Sequence, residues 1–212
     1  AKANLIYPAT EKHINKYQKS VYHMVKETPE VYQSIVKPYI MTQRMDQIKW
    51  VKNILFDGVE SDRVLFKNED YIVLPDMKWD GKSIESLYCC CIVYDESISS
   101  IRDLNSNHIE YLERIQESLL KEVSDKYDGI TRDKLRLYVH YQPTYYHFHI
   151  HVVNVDFTGL PGSMNVGKAI LLNDVIEDLK VRGKEGMASK TMVYSIYDTH
   201  ALWSAGLKDH LI

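Results

Sequence analysis

Apolar residues recur along the chain with two periods, one near 3.6 and one of 2, and the changes of period divide it into elements. Ile14, Tyr17, Val21, Met24 and Val25 fall at i, i+3, i+7, i+10 and i+11 after a candidate Thr10 cap, which predicts an early helix. Pro29 after Thr28 predicts a stop and a new helical start, and Pro38 a second stop. Met45, Ile48, Val51 and Leu55 form one stripe of a helix over 42–56, with Gly58 as its C-terminal stop. At 100° per residue Trp50 lies about 160° from the centre of that stripe, so a large aromatic is aimed away from the side expected to be buried. Residues 63–66 and 71–74, joined by a polar stretch, predict an antiparallel hairpin. The run from Leu87 to Tyr94 predicts a central strand buried on both faces.

Asn105 or Ser106 can cap a long helix with Ile109, Leu112, Ile115, Leu119 and Val123 on one face before Gly129. Strands over 135–141 and 146–156 follow, separated by a turn containing Pro143. A helix over 166–179, a strand over 191–197 and a short helix within 202–211 complete the chain. Hairpins outnumber parallel crossovers, so the expected class is α+β, a mainly antiparallel sheet with helices packed on one face. The proline-separated start, residues 1–39, reads as a helical connector, and 40–212 as the domain proper.

Composition narrows the function. Apolar residues make up 45% and charged residues 26% of 212, ordinary globular usage that disfavours a disordered or collagen-like chain. A chain of this size buries roughly 72% of its unfolded surface, enough for a sizeable core. The longest apolar run is eight residues, less than half of a membrane span. The chain does not begin with Met, and Ala1 to Ile6 lack a basic region followed by an apolar stretch, so any signal peptide or larger N-terminal portion is expected to lie outside it. The net charge of −3 argues against a long polyanionic partner, whose binding needs cationic surface, but allows a short nucleotide. Cys89, Cys90 and Cys91 are consecutive, cannot bridge normally as strand neighbours, and have no second cysteine cluster to complete a zinc site; they read as a reducing compartment.

The chemistry concentrates at Tyr145-Tyr146-His147-Phe148-His149-Ile150-His151-Val152-Val153. On a strand His147, His149 and His151 share one face, and Phe148, Ile150 and Val152 the other. Chance placement of nine histidines produces such a spacing with a probability of about 0.016. Three readings compete: exposed strand histidines, a metal site without an obvious carboxylate or thiolate ligand nearby, and nucleophilic catalysis at phosphorus with flanking imidazoles orienting the nucleophile.

The pattern His-φ-His-φ-His-φ-φ, with φ apolar, resembles the histidine triad superfamily of nucleotidyl hydrolases and transferases. Asn4–His13, Trp50–Leu55, Pro75–Trp79 and His140–His147, in this order, are similar to the scavenger mRNA decapping enzymes, and the similarity extends to about Leu179. The resemblance implies a histidine-triad-like fold and metal-free, cofactor-free hydrolysis of 7-methylguanosine cap nucleotides and short capped RNA fragments, releasing 7-methylguanosine monophosphate. It also implies a cytoplasmic and nuclear homodimer, with neither long nucleic acid nor membrane as partner.

Carried over by residue, the resemblance makes His149 the nucleophile, with His147, His151 and His140 orienting it or donating to phosphate oxygens. It places Trp50, Glu60 and Pro75 at the methylated base, and Asp76, Lys78, Thr144, Tyr145 and Lys168 at ribose and phosphates. Thr144 stands where serine is expected, and Lys168 where arginine is usual, replacing a fork of donors by a point charge. A positively charged methylguanine explains the outward Trp50, since a cation over indole gains about 0.5–2 kcal/mol. His13 and Lys16 are candidates to reach the phosphates in a closed form, and the other tyrosines read as packing and rim. Members of the family carry a further N-terminal domain, exchanged between subunits, that closes over the cap. This chain opens at what resembles the hinge, which reads as a fragment or a short form.

Overall fold

The computed structural model describes residues 7–10, 20–158 and 162–212. In chain order, β1 (Tyr22–Glu27) leads into α1 (Pro29–Val31), a π turn (Tyr32–Val36), α2 (Lys37–Gln47) and α3 (Lys49–Phe56). Then come β2 (Phe66–Lys67), β3 (Tyr71–Pro75), β4 (Tyr88–Val93), α4 (Ile109–Lys126), β5 (Leu135–His140) and β6 (His149–Asn154). The chain continues through β7 (Ala169–Leu171), α5 (Leu172–Arg182), β8 (Met192–Tyr197) and α6 (Ala201–Ser204). Six strands form one antiparallel sheet in the order β2-β3-β4-β6-β5-β7, and β1 pairs antiparallel with β8 in a separate ribbon. This is an α+β architecture of antiparallel sheets with flanking helices.

Alternation along the central strands gives the two sheet faces different tasks. Cys91 pairs with Val73 and Ile150, and Cys89 with Val152, so these apolar side chains share a face. That face is the main core, which α4 joins through the fully buried Leu112, Ile115, Leu119 and Val123, spaced as expected. Each such side chain contributes about 1.5–3 kcal/mol of burial. On the opposite face Ile72, Leu74 and Ile92 pack with Ile48, Val51, Ile54 and Leu55 of the α3 region. Helices therefore flank both faces rather than one, and α3 covers only the β3–β4 side of the second face. The part formed by β4, β6 and β5 is where the histidines stand.

The sequence reading needs correction in several places. Residues 22–27 form a strand, not the second half of a helix, because β8 supplies a ladder and the inward positions Val25 and Glu27 follow period two. Ile14 and Tyr17, with His13 and Lys16, lie outside the described residues. Pro38 does not stop the helix. The π turn before it widens the backbone spiral where proline lacks an N–H for the usual bond. The helix expected over 42–56 is two helices, since the backbone leaves helical geometry at Ile48 (φ −102°, ψ 1°). The first strand of the hairpin shrinks to β2, with Ser61–Arg63 in a 3-10 turn. Part of the helix expected over 166–179 is β7, whose pairing with β5 overrides the apolar pattern.

A buried polar cluster joins the ribbon to the main body. Glu27 on β1 accepts from Arg102 Nη2 (2.5 Å) and Nε (2.9 Å), from the hydroxyls of Tyr141 (2.6 Å) and Tyr194, and from Gln142 Nε2 (3.2 Å). Both charged side chains are wholly inaccessible, and the many charge-assisted bonds offset their desolvation. Tyr141 and Gln142 open the loop that ends at the histidine strand, so the cluster also anchors that loop.

Candidate active site

Residues 145–148 lie outside any strand, and β6 starts at His149. The expected row of three imidazoles on one strand face is therefore corrected to two, His149 and His151, which stand opposite Ile92 and Cys90 of β4. His140, at the end of β5, supplies the third. Its ring centroid is 4.4 Å from that of His151, and His151 is 5.1 Å from His149. His147 is wholly buried behind them, with Nε2 donating to the Val93 carbonyl (2.7 Å), and does not line the cavity. Strand alternation holds only while the chain stays in the ladder, and here it enters one residue after Phe148.

A cavity of about 310 Å³ opens beside these rings and collects ten of the twelve sequence-predicted site residues. His140, His149 and His151 meet Thr144 and Tyr145 there. Trp50 and Glu60 line it too, with the loop residues Pro75, Asp76 and Lys78. Trp50 is 46% exposed, the outward placement its helical phase requires. Its ring meets Tyr145 edge-on at 4.8 Å, and Tyr145 stacks on His149 at 4.2 Å and 16°, which keeps indole and nucleophile candidate within 9 Å. Glu60, in left-handed backbone geometry (φ 61°), pairs with Arg63, whose other arm donates to the Pro75 carbonyl (3.2 Å). That link joins the Glu60 turn to the Asp76 loop. Asp76 Oδ1 accepts from the Lys78 amide (3.0 Å), and the Lys78 ammonium lies 5.3 Å from the Tyr88 ring centroid.

Lys168 is the second residue outside the cavity. Its ammonium donates to the Gln142 carbonyl and lines a neighbouring cavity of about 240 Å³ with His200, and burial lowers its pKa to about 8. In this arrangement it steadies the loop backbone rather than facing the histidine cavity.

The partners of each imidazole set its proton. His149 Nδ1 lies 2.8 Å from the His147 carbonyl, which can only accept, so Nδ1 carries the proton and Nε2 its lone pair. His140 Nε2 lies 2.6 Å from the Ser163 carbonyl, which leaves Nδ1 unprotonated by the same reasoning. Burial lowers the pKa of His149 and of His140 to about 4, against the bonds to the carbonyls, which act in the opposite sense. Burial also holds His151 well below its ordinary value and depresses His147. All four rings are neutral at pH 7. In His149 an unprotonated nitrogen thus stands in a nucleotide-sized cavity without needing a separate base.

One nitrogen each from His140, His149 and His151 lies within 4.8 Å of the others, so among the described residues the same rings can hold a metal, as three of four tetrahedral ligands. Sequence reasoning missed Tyr88 and Tyr138, read as packing. Tyr138 donates to Tyr88 (3.0 Å), and the Tyr88 hydroxyl lies 3.2 Å from His151 Nδ1. Tyr138 was within reach of the alternation argument, since it precedes His140 by two positions on β5; Tyr88 needed the strand order. Ser163 and Arg63 carried no local signal.

The family model described as "Scavenger mRNA decapping enzyme C-term binding" matches residues 49–167, more than half of the chain. The chain belongs to the scavenger mRNA decapping enzyme family. Among its relatives is a Schizosaccharomyces pombe protein named m7GpppX diphosphatase, 41% identical over 206 residues that cover 95% of this chain and 67% of that one. Another is an Ascaris suum protein of the same name, 42% identical over 184 residues, covering 85% of this chain and 60% of that one. This chain thus spans about three fifths to two thirds of the length of these family members. A solved structure titled "Crystal structure of aprataxin ortholog Hnt3 in complex with DNA" is similar at a TM-score of 0.42 and 12% identity, over 60% of this chain and 73% of that one.

Proposed function

We propose that this chain hydrolyses the triphosphate bridge of 7-methylguanosine cap dinucleotides and short capped oligonucleotides, releasing 7-methylguanosine monophosphate. The observation that carries the reading is the unprotonated Nε2 of His149 in a cavity that also presents Trp50 and Glu60. The relatives' name, m7GpppX diphosphatase, supports the same substrate class.

In the proposed reaction His149 Nε2 attacks the phosphorus next to methylguanosine. A P–N bond forms as the P–O bond to the second phosphate breaks, and the remaining nucleoside diphosphate departs. Water then attacks the same phosphorus, the P–N bond breaks, and methylguanosine monophosphate leaves with His149 restored to its neutral form. Trp50 stacks on the cationic base and Glu60 accepts from its Watson–Crick edge. Lys78 and the hydroxyl of Thr144 meet the phosphates.

Incubation with methylated cap dinucleotide and a chelator, followed by chromatography, is expected to yield methylguanosine monophosphate at an undiminished rate. His149→Asn is expected to remove the product. Quenching of Trp fluorescence without any product indicates a cap-binding chain instead, and loss of turnover on chelation indicates a metal enzyme. An unmethylated guanosine cap cleaved as fast as the methylated one indicates another triad hydrolase.

A further inference from the structure

We infer that Tyr88 and Tyr138 are positioning residues that set the tautomer of His151 and make its Nε2–H the hydrogen-bond donor to the departing phosphate. The inference rests on the decapping reading for its consequence, though not for its geometry. Tyr138 gives its proton to the Tyr88 oxygen at 3.0 Å, and the Ser163 hydroxyl beside the two phenols acts on them as a donor, so the single proton of Tyr88 is free for His151 Nδ1, at 3.2 Å. A neutral imidazole that accepts at Nδ1 must carry its hydrogen at Nε2. That Nε2 is buried and has no partner among the described residues, on a side chain that lines the histidine cavity.

An unpartnered buried donor costs about 1–3 kcal/mol, a cost that an arriving acceptor removes. The acceptor the cavity is suited to is a phosphate oxygen. The ring itself is fixed from two sides, stacked on Tyr138 at 5.0 Å and 23° and met edge-on by Tyr88 at 5.5 Å.

The neighbouring triad histidines thereby hold opposite tautomers. A carbonyl at Nδ1 of His149 leaves its Nε2 a lone pair, and a hydroxyl at Nδ1 of His151 leaves its Nε2 a proton. One ring can attack while the other stabilises the oxygen that leaves. The His151 proton is shared in a hydrogen bond and not transferred, since transfer would leave an imidazolate or, through the relay, a buried phenolate. Burial drives the Tyr88 pKa far above its ordinary value and opposes that outcome.

Phenylalanine variants keep the ring contacts and delete only the hydroxyls. Long-range 1H–15N NMR of the ligand-free chain is expected to show His151 as the pure Nε2–H tautomer, and Tyr88→Phe to give a mixture of tautomers. In Tyr88→Phe, kcat on methylated cap dinucleotide is expected to fall by the share of rings that lose the Nε2–H tautomer, about twofold to tenfold, with KM changed less than about threefold. Tyr138→Phe, which leaves Tyr88 its proton, is expected to show a smaller loss. Nδ1–H at His151 in the native chain overturns the inference, as does an unchanged tautomer or kcat in Tyr88→Phe. Should Tyr88→Phe not fold, the native spectrum alone decides. A native chain that shows the Nε2–H tautomer but cleaves no cap refutes the decapping reading and leaves the tautomer assignment standing.

Discussion

At the scale of single residues the site works through what each side chain is prevented from doing. His149 cannot hold a second proton near neutral pH because burial disfavours the cation, and it cannot place its one proton on Nε2 because the His147 carbonyl claims Nδ1–H. Trp50 cannot join the core because its helical phase points it outward, and half of the ring is left for a ligand. If a methylated base stacks there, Trp50→Ala is expected to weaken binding of the methylated cap about 2- to 30-fold, the equivalent of 0.5–2 kcal/mol, with a smaller effect on the unmethylated cap. Isothermal titration of the two ligands checks this, and equal losses for both defeat the cationic-stacking account. The outward tryptophan was legible in the chain because helical phase is local. The buried partners of the imidazoles were not, because Val93, Ser163 and Tyr88 come from elements remote in sequence.

At the scale of elements the cleanest sequence signals belonged to segments whose own apolar pattern matches their burial. The stripe on α4 and the run that became β4 were read to within a few residues, since α4 buries one face in the main core and β4 buries both faces, one in each apolar cluster. The misread segments were those whose state depended on a partner: β1 on β8, β7 on β5, and the start of β6 on β4. A tight element junction shows the same dependence. Gly186 has φ +57°, and a Cβ there would sit 2.1 Å from the Leu104 carbonyl oxygen, which also accepts from the Met187 amide (2.9 Å). Gly186→Ala is expected to cost roughly 2–5 kcal/mol from left-handed backbone and overpacking together, read as a lower urea midpoint at an unchanged m-value.

At the scale of the whole molecule, clustering neutral histidines under one sheet face links stability to pH. His140 and His149 titrate at about 4 in the fold and near 6.5 once unfolded, so between these values the unfolded chain binds more protons. Their stabilisation is complete above pH 6.5 and is lost as pH falls toward 4, with a slope of up to about 1.4 kcal/mol per pH unit for each ring. Thermal melts are expected to show Tm falling on acidification from pH 7 to 5, and His149→Asn to flatten that fall; a pH-independent Tm contradicts the assignment of buried neutral rings. What the amino-acid order determined unaided is the set of periodic faces, the α+β class and the histidine spacing, because backbone geometry converts spacing into shared faces within a few residues. Only the tertiary structure decided that His140 replaces His147 at the cavity, that helices cover both sheet faces, and which nitrogen of each ring holds a proton. Each of those depends on strand order and on hydrogen-bond partners brought from distant positions, which no local repeat records.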